Sequence, residues 1–243
     1  MNKAGWISSF TLVNQSSNIP VLQGYASAGT PDDSVNYFFD TSALYLSSSP
    51  NSLVEVASNH DLLLDGTNHM GDGDFYDGKV YGVIEHWAGC RTSSAPIYIV
   101  IFDGKSLAAE KYIEITSDLP EASGIAIVPD SREAVVTSFC DPNNLYAYDL
   151  SDWKFHRKIP LSMPIVGIQG AAFRDGFLYI AGTNGGMYAL ELANNSMHFL
   201  FQASMGGEFE GPDFHTSQLR WFVNHGYDHF LLSYAPTRSQ SSQ

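Results

Sequence analysis

Gln169-Gly170-Ala171-Ala172-Phe173, then Arg174-Asp175-Gly176, then Phe177-Leu178-Tyr179-Ile180-Ala181: this run reads as a strand, a tight turn and a returning strand. Asp-Gly is a hairpin signal because both residues tolerate positive φ. Downstream, Gly186 to Leu192 and Met197 to Gln202 supply a third and a fourth strand. Four short strands of this kind cannot cover their own apolar faces, so the unit needs neighbours of its own type.

The neighbours are present as weak repeats. Their cores are Gln23-Gly24-Tyr25, Met70-Gly71-Asp72, Ser123-Gly124-Ile125, Gln169-Gly170-Ala171 and Glu210-Gly211-Pro212, with the leading glycines 41 to 53 residues apart. A period of about 40 to 50 residues built from short strands predicts an all-β fold, a single β-propeller. The second copy reads Gly71 to Tyr76, the turn Asp77-Gly78, Lys79 to Glu85, Ile97 to Phe102 and Ala109 to Ile115. The third runs from Ser123 through Pro129-Asp130-Ser131 to Ala134–Ser138, Leu145–Leu150 and Lys154–Ile159. The first is less regular, with Asn36–Phe39, Ala43–Leu46 and Leu53–Ala57 as its clearest strands. The last copy holds Gly211–Phe214, Leu219–Val223 and Phe230–Tyr234 and lacks a fourth strand, whereas Trp6 to Val13 is a strand-like run belonging to no copy. Closure of the ring by that N-terminal strand in the last blade answers both observations and leaves no open sheet edge. Five blades are expected, or six if residues 2–17 and the insertion in the second copy hide another. The propeller domain is expected over residues 1–235, with 236–243 a flexible Ser/Gln tail.

Composition narrows the partners. The 243 residues are 44% hydrophobic and carry a formal charge of −14, with 12 Lys and Arg in all. Nucleic acid and an anionic membrane surface are therefore not expected as partners, because phosphate binding needs clustered basic residues. No run of about 18 apolar residues exists, and Met1 to Phe10 lacks the charged start and apolar core of a leader. A soluble monomer is expected, either cytosolic or secreted with its leader absent. The acceptor patterns Asn14-Gln15-Ser16 and Asn194-Asn195-Ser196 decide nothing between these. Gly182-Thr183-Asn184-Gly185-Gly186 lacks the Lys and the helix of a phosphate loop, so no nucleotide cofactor is expected. Gly-x-Ser-x-Gly and His-Glu-x-x-His motifs are absent too.

In a blade, the loop leading into the innermost strand and the loop between strands two and three open on one face, and the short Asp-Gly turns lie on the other. The mouth face then collects Gln23, Asn68, His69, Glu85, Trp87, Glu121, Gln169, Glu208, Glu210 and His225. Glu210 is the leading candidate: it precedes the repeat glycine, a position occupied by Gln23, Ser123 and Gln169 in sister blades, and equivalent positions around a ring converge on the axis. Glu208 and Glu210, two residues apart, share one side of a strand and could share a proton or chelate a cation. Glu85 and His86 are adjacent and so point to opposite sides of a strand. Either Glu85 serves in proton transfer or it packs the blade rim.

Asn68-His69-Met70-Gly71-Asp72-Gly73-Asp74 has the spaced acids of a calcium loop but lacks the EF-hand Glu. Asp72 and Asp74 either bond backbone amides between blades or line the channel. Cys90 and Cys140 follow the second strands of adjacent blades, close enough for a disulfide; buried free thiols and a catalytic Cys140 are the alternatives.

Segments such as Ser123-Gly124-Ile125-Ala126 and Asp175-Gly176-Phe177-Leu178-Tyr179 make the chain similar to the broad superfamily of small propellers. That group holds the gluconolactonase and senescence-marker-like proteins, the paraoxonases and the five-bladed glutaminyl cyclases. The resemblance implies an axial calcium or other divalent cation, here on Asn68, His69, Gln169 and Glu210. Two functions follow as expectations. One is a small-molecule site, metal-assisted and hydrolytic in the manner of a lactonase, with Glu85, His69 and Glu210 catalytic and Asn68, Gln169, Glu208, Trp87, Gln23, Glu121 and His225 binding substrate. The other is a noncatalytic module whose rim recognises a glycan or a protein.

Overall fold

The computed structural model describes residues 10–15, 26–29, 36–39, 43–49, 52–58 and 228–234 as strand backbone. It also describes 64–225 apart from 65, 91–95, 105, 107, 204–207 and 216–217. Among the described residues twenty-one strands, β1 to β21, form five antiparallel sheets, and no helix occurs. Strand β1 (Phe10–Gln15) stands before the first blade, which comprises β2 (Ala26–Gly29), β3 (Asn36–Phe39), β4 (Ala43–Ser49) and β5 (Ser52–Ser58). The second blade is β6 (His69–Met70) and β7 (Asp74–Tyr76), both on β8 (Lys79–Glu85), then β9 (Tyr98–Asp103) and β10 (Ala109–Glu114). The third holds β11 (Gly124–Val128), β12 (Glu133–Thr137), β13 (Asn144–Asp149) and β14 (Phe155–Pro160). The fourth holds β15 (Ile168–Arg174), β16 (Phe177–Gly182), β17 (Gly186–Glu191) and β18 (Ser196–Gln202).

The fifth blade has β19 (Glu208–His215), β20 (Gln218–His225) and β21 (Asp228–Tyr234) from the end of the chain, and β1 as its outer strand. Antiparallel pairing of β1 with β21 runs from Phe10↔Tyr234 to Gln15↔His229. The inner strands pack in cyclic order, β2 on β7, β7 on β11, β11 on β15, β15 on β19 and β19 back on β2. The molecule is therefore a five-bladed propeller closed by its N-terminal strand.

The Asp-Gly turns behave as their chemistry requires. Asp77 and Gly78 have φ of 49° and 75°, and Asp175 and Gly176 have 50° and 83°, so both central residues occupy the left-handed region of a tight hairpin. The core lies between facing sheets. Between the second and third blades Val83, Ile99, Ile125, Ile127, Tyr146 and Tyr148 interlock, and Leu178, Ile180 and Leu190 meet Ala126, Val135 and Ala147 between the third and fourth.

The second blade departs from expectation. Its inner strand does not run unbroken from Gly71 to Tyr76. It stops at Met70 and resumes at Asp74, because Asp72 N donates to Ser123 O at 2.7 Å and Ile125 N donates to Asp72 O at 3.2 Å. Gly71 N still donates to Val83 O of its own blade at 2.9 Å, but the backbone of Asp72 pairs with the next blade, so strict alternation does not carry through it. Gln23 and the tail at 236–243 lie outside the described residues.

Candidate functional site

The inner strands crowd one another where the repeat glycines stand. A Cβ on Gly211 would lie 2.0 Å from Asp72 Cγ, one on Gly170 2.1 Å from Asp72 Oδ2, and one on Gly124 2.8 Å from Asp72 Cβ. Three blades thus leave out a side chain so that the buried Asp72 carboxyl can occupy the axis. Asp74, two residues on, does bond between blades: its Oδ2 accepts Ile127 N at 2.7 Å and its Oδ1 accepts Phe75 N at 2.7 Å. Burial pushes its pKa up to about 7 despite those two bonds.

At the mouth face a cavity of about 200 Å³ is lined by His69, Trp87, Glu121, Phe139, Gln169, Glu208 and Glu210. Inner-strand approaches supply His69, Glu121, Gln169, Glu208 and Glu210, and the ends of the second strands supply Trp87 and Phe139. Trp87 and Phe139 meet edge to face at 5.8 Å, and the Trp87 and His69 ring centroids are also 5.8 Å apart. Beside them a disulfide joins Cys90 to Cys140, with Cα atoms 5.3 Å apart, and so ties the two aromatic loops together.

Glu121 is the most constrained acid. It is 3% exposed. Its Oε2 accepts Ser138 Oγ at 3.0 Å, Phe139 N at 2.5 Å and Cys140 N at 3.4 Å. Its Oε1 is buried and has no hydrogen-bond partner among the described residues. Burial, and then the charge of Glu85, push its pKa up to about 8; the three donors pull the other way and lose. Glu85, also buried, has Oε2 accepting Ala122 N at 3.4 Å and Oε1 3.4 Å from Nδ1 of the lining His69. Gln169 Nε2 donates to Glu208 Oε1 at 2.9 Å and to Thr183 Oγ1 at 3.4 Å, which orients Glu208 at the rim.

Asn68 is placed differently. Its Oδ1 accepts Trp87 N at 2.7 Å and its Nδ2 donates to Trp87 O at 3.2 Å, so the amide clamps the Trp87 loop. His225 ends β20, where Glu208 pairs with Asn224. The set Asn68, His69, Gln169 and Glu210 does not fit a calcium cradle: Asn68 Oδ1, the atom that would ligate, accepts Trp87 N, Asn68 is not among the residues lining the cavity, and His69 offers nitrogen where calcium takes oxygen. Among the described residues no three His, Cys, Asp or Glu side chains gather so as to hold a metal ion.

Phe139 and its neighbour Ser138 were not singled out from sequence, although a signal existed. Phe139 lies two residues beyond Thr137, the end of β12, as Trp87 lies two beyond Glu85, the end of β8. Equivalent ends of second strands project onto the same rim.

No protein-family model matches the chain, and no curated protein matches its sequence. Solved structures match it in shape. A luciferin-regenerating enzyme aligns over 93% of this chain and 95% of its own with a TM-score of 0.62 at 12% identity. The glutaminyl cyclase of Myxococcus xanthus aligns over 96% and 98%, with a TM-score of 0.68 at 9% identity. A gluconolactonase from Xanthomonas campestris aligns over 83% and 69%, with a TM-score of 0.53 at 12% identity. What these three share with the chain is the small β-propeller fold.

Proposed function

We propose that the protein is a small-molecule enzyme that works by proton transfer at a carbonyl group, in the hydrolysis of a lactone, ester or amide or a related acyl transfer. The observation that carries this reading is Glu121: one carboxyl oxygen is pinned by three donors, and the other is buried without a partner among the described residues, in a side chain that lines the cavity. A carboxyl kept neutral near pH 7 can donate a proton that an ionised one cannot.

The step balances with residues already in place. Glu121 gives its proton to the carbonyl oxygen as water adds to the carbonyl carbon, and His69, backed by Glu85, takes the proton that the water loses. Collapse of the adduct breaks the C–O or C–N bond; the leaving atom takes the proton from His69 and the carbonyl oxygen returns its own to Glu121. No metal enters these steps. All three propellers similar in fold are named as enzymes, a gluconolactonase, a glutaminyl cyclase and a luciferin-regenerating enzyme. A recessed cavity with a strongly perturbed acid also suits an enzyme better than a glycan- or protein-binding rim, which would use a flat face.

The test is a panel of lactones, esters and amides assayed with wild type and Glu121→Gln. Loss of general acid catalysis is expected to lower kcat by about 10²- to 10⁴-fold with the melting temperature kept. Equal turnover by the variant, or none by wild type across the panel, overturns the reading.

A further inference from the structure

The walls of the cavity also select what the substrate carries besides its carbonyl. We infer that the site takes a small organic cation, an ammonium group seated against the Trp87 and Phe139 rings with the carboxylates of Glu208 and Glu210 opposite; this rests on the reading of the cavity as a small-molecule site.

Charge is the first argument. Two glutamates, Glu208 and Glu210, line the cavity beside Glu121, which its surroundings hold neutral, and Glu85 stands 3.4 Å from the lining His69, while no Lys or Arg is among the described lining residues. Four basic side chains are engaged elsewhere: Lys79 with Glu110, Lys154 with Asp152, Arg157 with Glu133 and Arg220 with Asp213. A recess walled by one sign of charge, in a chain of net charge −14, concentrates cations and repels carboxylates and phosphates.

The aromatic wall is the second. Indole is the best side chain for an ammonium ion, and the edge-to-face pair of Trp87 and Phe139 is braced by Asn68 on one loop and by the Cys90–Cys140 bond between the loops. Glu121 is the third, and it points to a ligand independently of the acidic cluster. Its Oε1, without a partner among the described residues and in a residue 3% exposed, leaves a buried hydrogen-bonding atom for the ligand to satisfy. At about 200 Å³ the cavity is smaller than the about 300–1,000 Å³ of drug-sized sites. It suits a compact head group.

The probe pair is choline and its neutral carbon isostere 3,3-dimethylbutan-1-ol, titrated into the full chain by calorimetry and by ligand-observed NMR. Choline is expected to bind at least about tenfold more tightly than the isostere and to weaken as salt is raised. Trp87→Leu and Glu208→Gln should each weaken choline by roughly tenfold while leaving the thermal melt near wild type. Equal binding of the two probes, or no binding of choline at millimolar concentration, overturns the inference. Binding is read without turnover, so choline failure with carbonyl turnover intact removes only the cation, and choline binding without turnover removes only the enzymatic reading.

Discussion

His69 and Glu85 are direct cross-strand partners of β6 and β8, with Nδ1 and Oε1 3.4 Å apart. The same carboxylate receives Ala122 N from the third blade and raises the pKa of Glu121 there. A line of three titratable side chains therefore crosses the seam between two blades, and within it the charge of Glu85 acts on the buried Glu121.

That coupling has a sign. Replacing Glu85 by Gln removes the negative charge that opposes ionisation of Glu121, so Glu121 is expected to ionise at a lower pH than its present value of about 8. Carboxyl-carbon NMR of the wild type and of Glu85→Gln reads the midpoint directly. An unchanged midpoint would show that burial alone sets it.

Stability should fall from mildly acid to mildly alkaline pH. Glu121 moves from 4.5 to about 8 on folding and Asp74 from 3.8 to about 7. The native state therefore holds protons that the unfolded chain has already released. Each raised acid contributes fully below its unfolded value, and the contribution is lost as pH rises through the folded value, at about 1.4 kcal/mol per pH unit for each group. Thermal melts between pH 5 and 9 are expected to show a falling midpoint that is shallower in Glu121→Gln. Parallel curves for the two proteins would falsify the assignment.

The axis has no room for a methyl group. Gly211→Ala is expected to destabilise the fold by about 1–3 kcal/mol through overpacking, because its Cβ would stand 2.0 Å from Asp72 Cγ. The double variant with Asp72→Ala removes the clashing atom, so the two losses should add to less than their sum. Urea denaturation of the four proteins in the cycle decides it; strict additivity would mean that the clash is relieved elsewhere.

Breaking the Cys90–Cys140 bond frees two loops that carry a wall of the cavity and one of the donors to Glu121, Cys140 N. The Cys90→Ser, Cys140→Ser protein should lose about 2–5 kcal/mol of stability. Its Trp87 fluorescence, read against the same change in a Trp87→Phe background, should report a more solvated ring. Retention of both stability and Trp87 emission would leave the bond without a role in shaping the site.

Much of the architecture is legible in the chain itself. The spaced glycines, the Asp-Gly turns and the last copy's missing strand are local signals, and each acts through backbone conformation or strand period. They suffice for five blades and for closure by the N-terminal strand, whose described part, β1 at Phe10–Gln15, overlaps the expected Trp6 to Val13. The mouth face is legible too, because repeat position alone sends Glu121, Gln169, Glu208 and Glu210 toward one end.

What only the tertiary structure decided is which of those side chains meet, and what they do to one another. Asn68 looked like a ligand and is a clamp, since its amide matches the Trp87 backbone across the strand end. Asp72 breaks its own strand to pair with the next blade. Glu121 is held neutral by burial and by a glutamate from another blade. Each of these depends on distances between blades, which the ring's closure sets and no spacing within a single repeat encodes. A pattern of residues names the strand and the side; burial and charge coupling, which make a carboxyl an acid, arise only when the sheets are packed together.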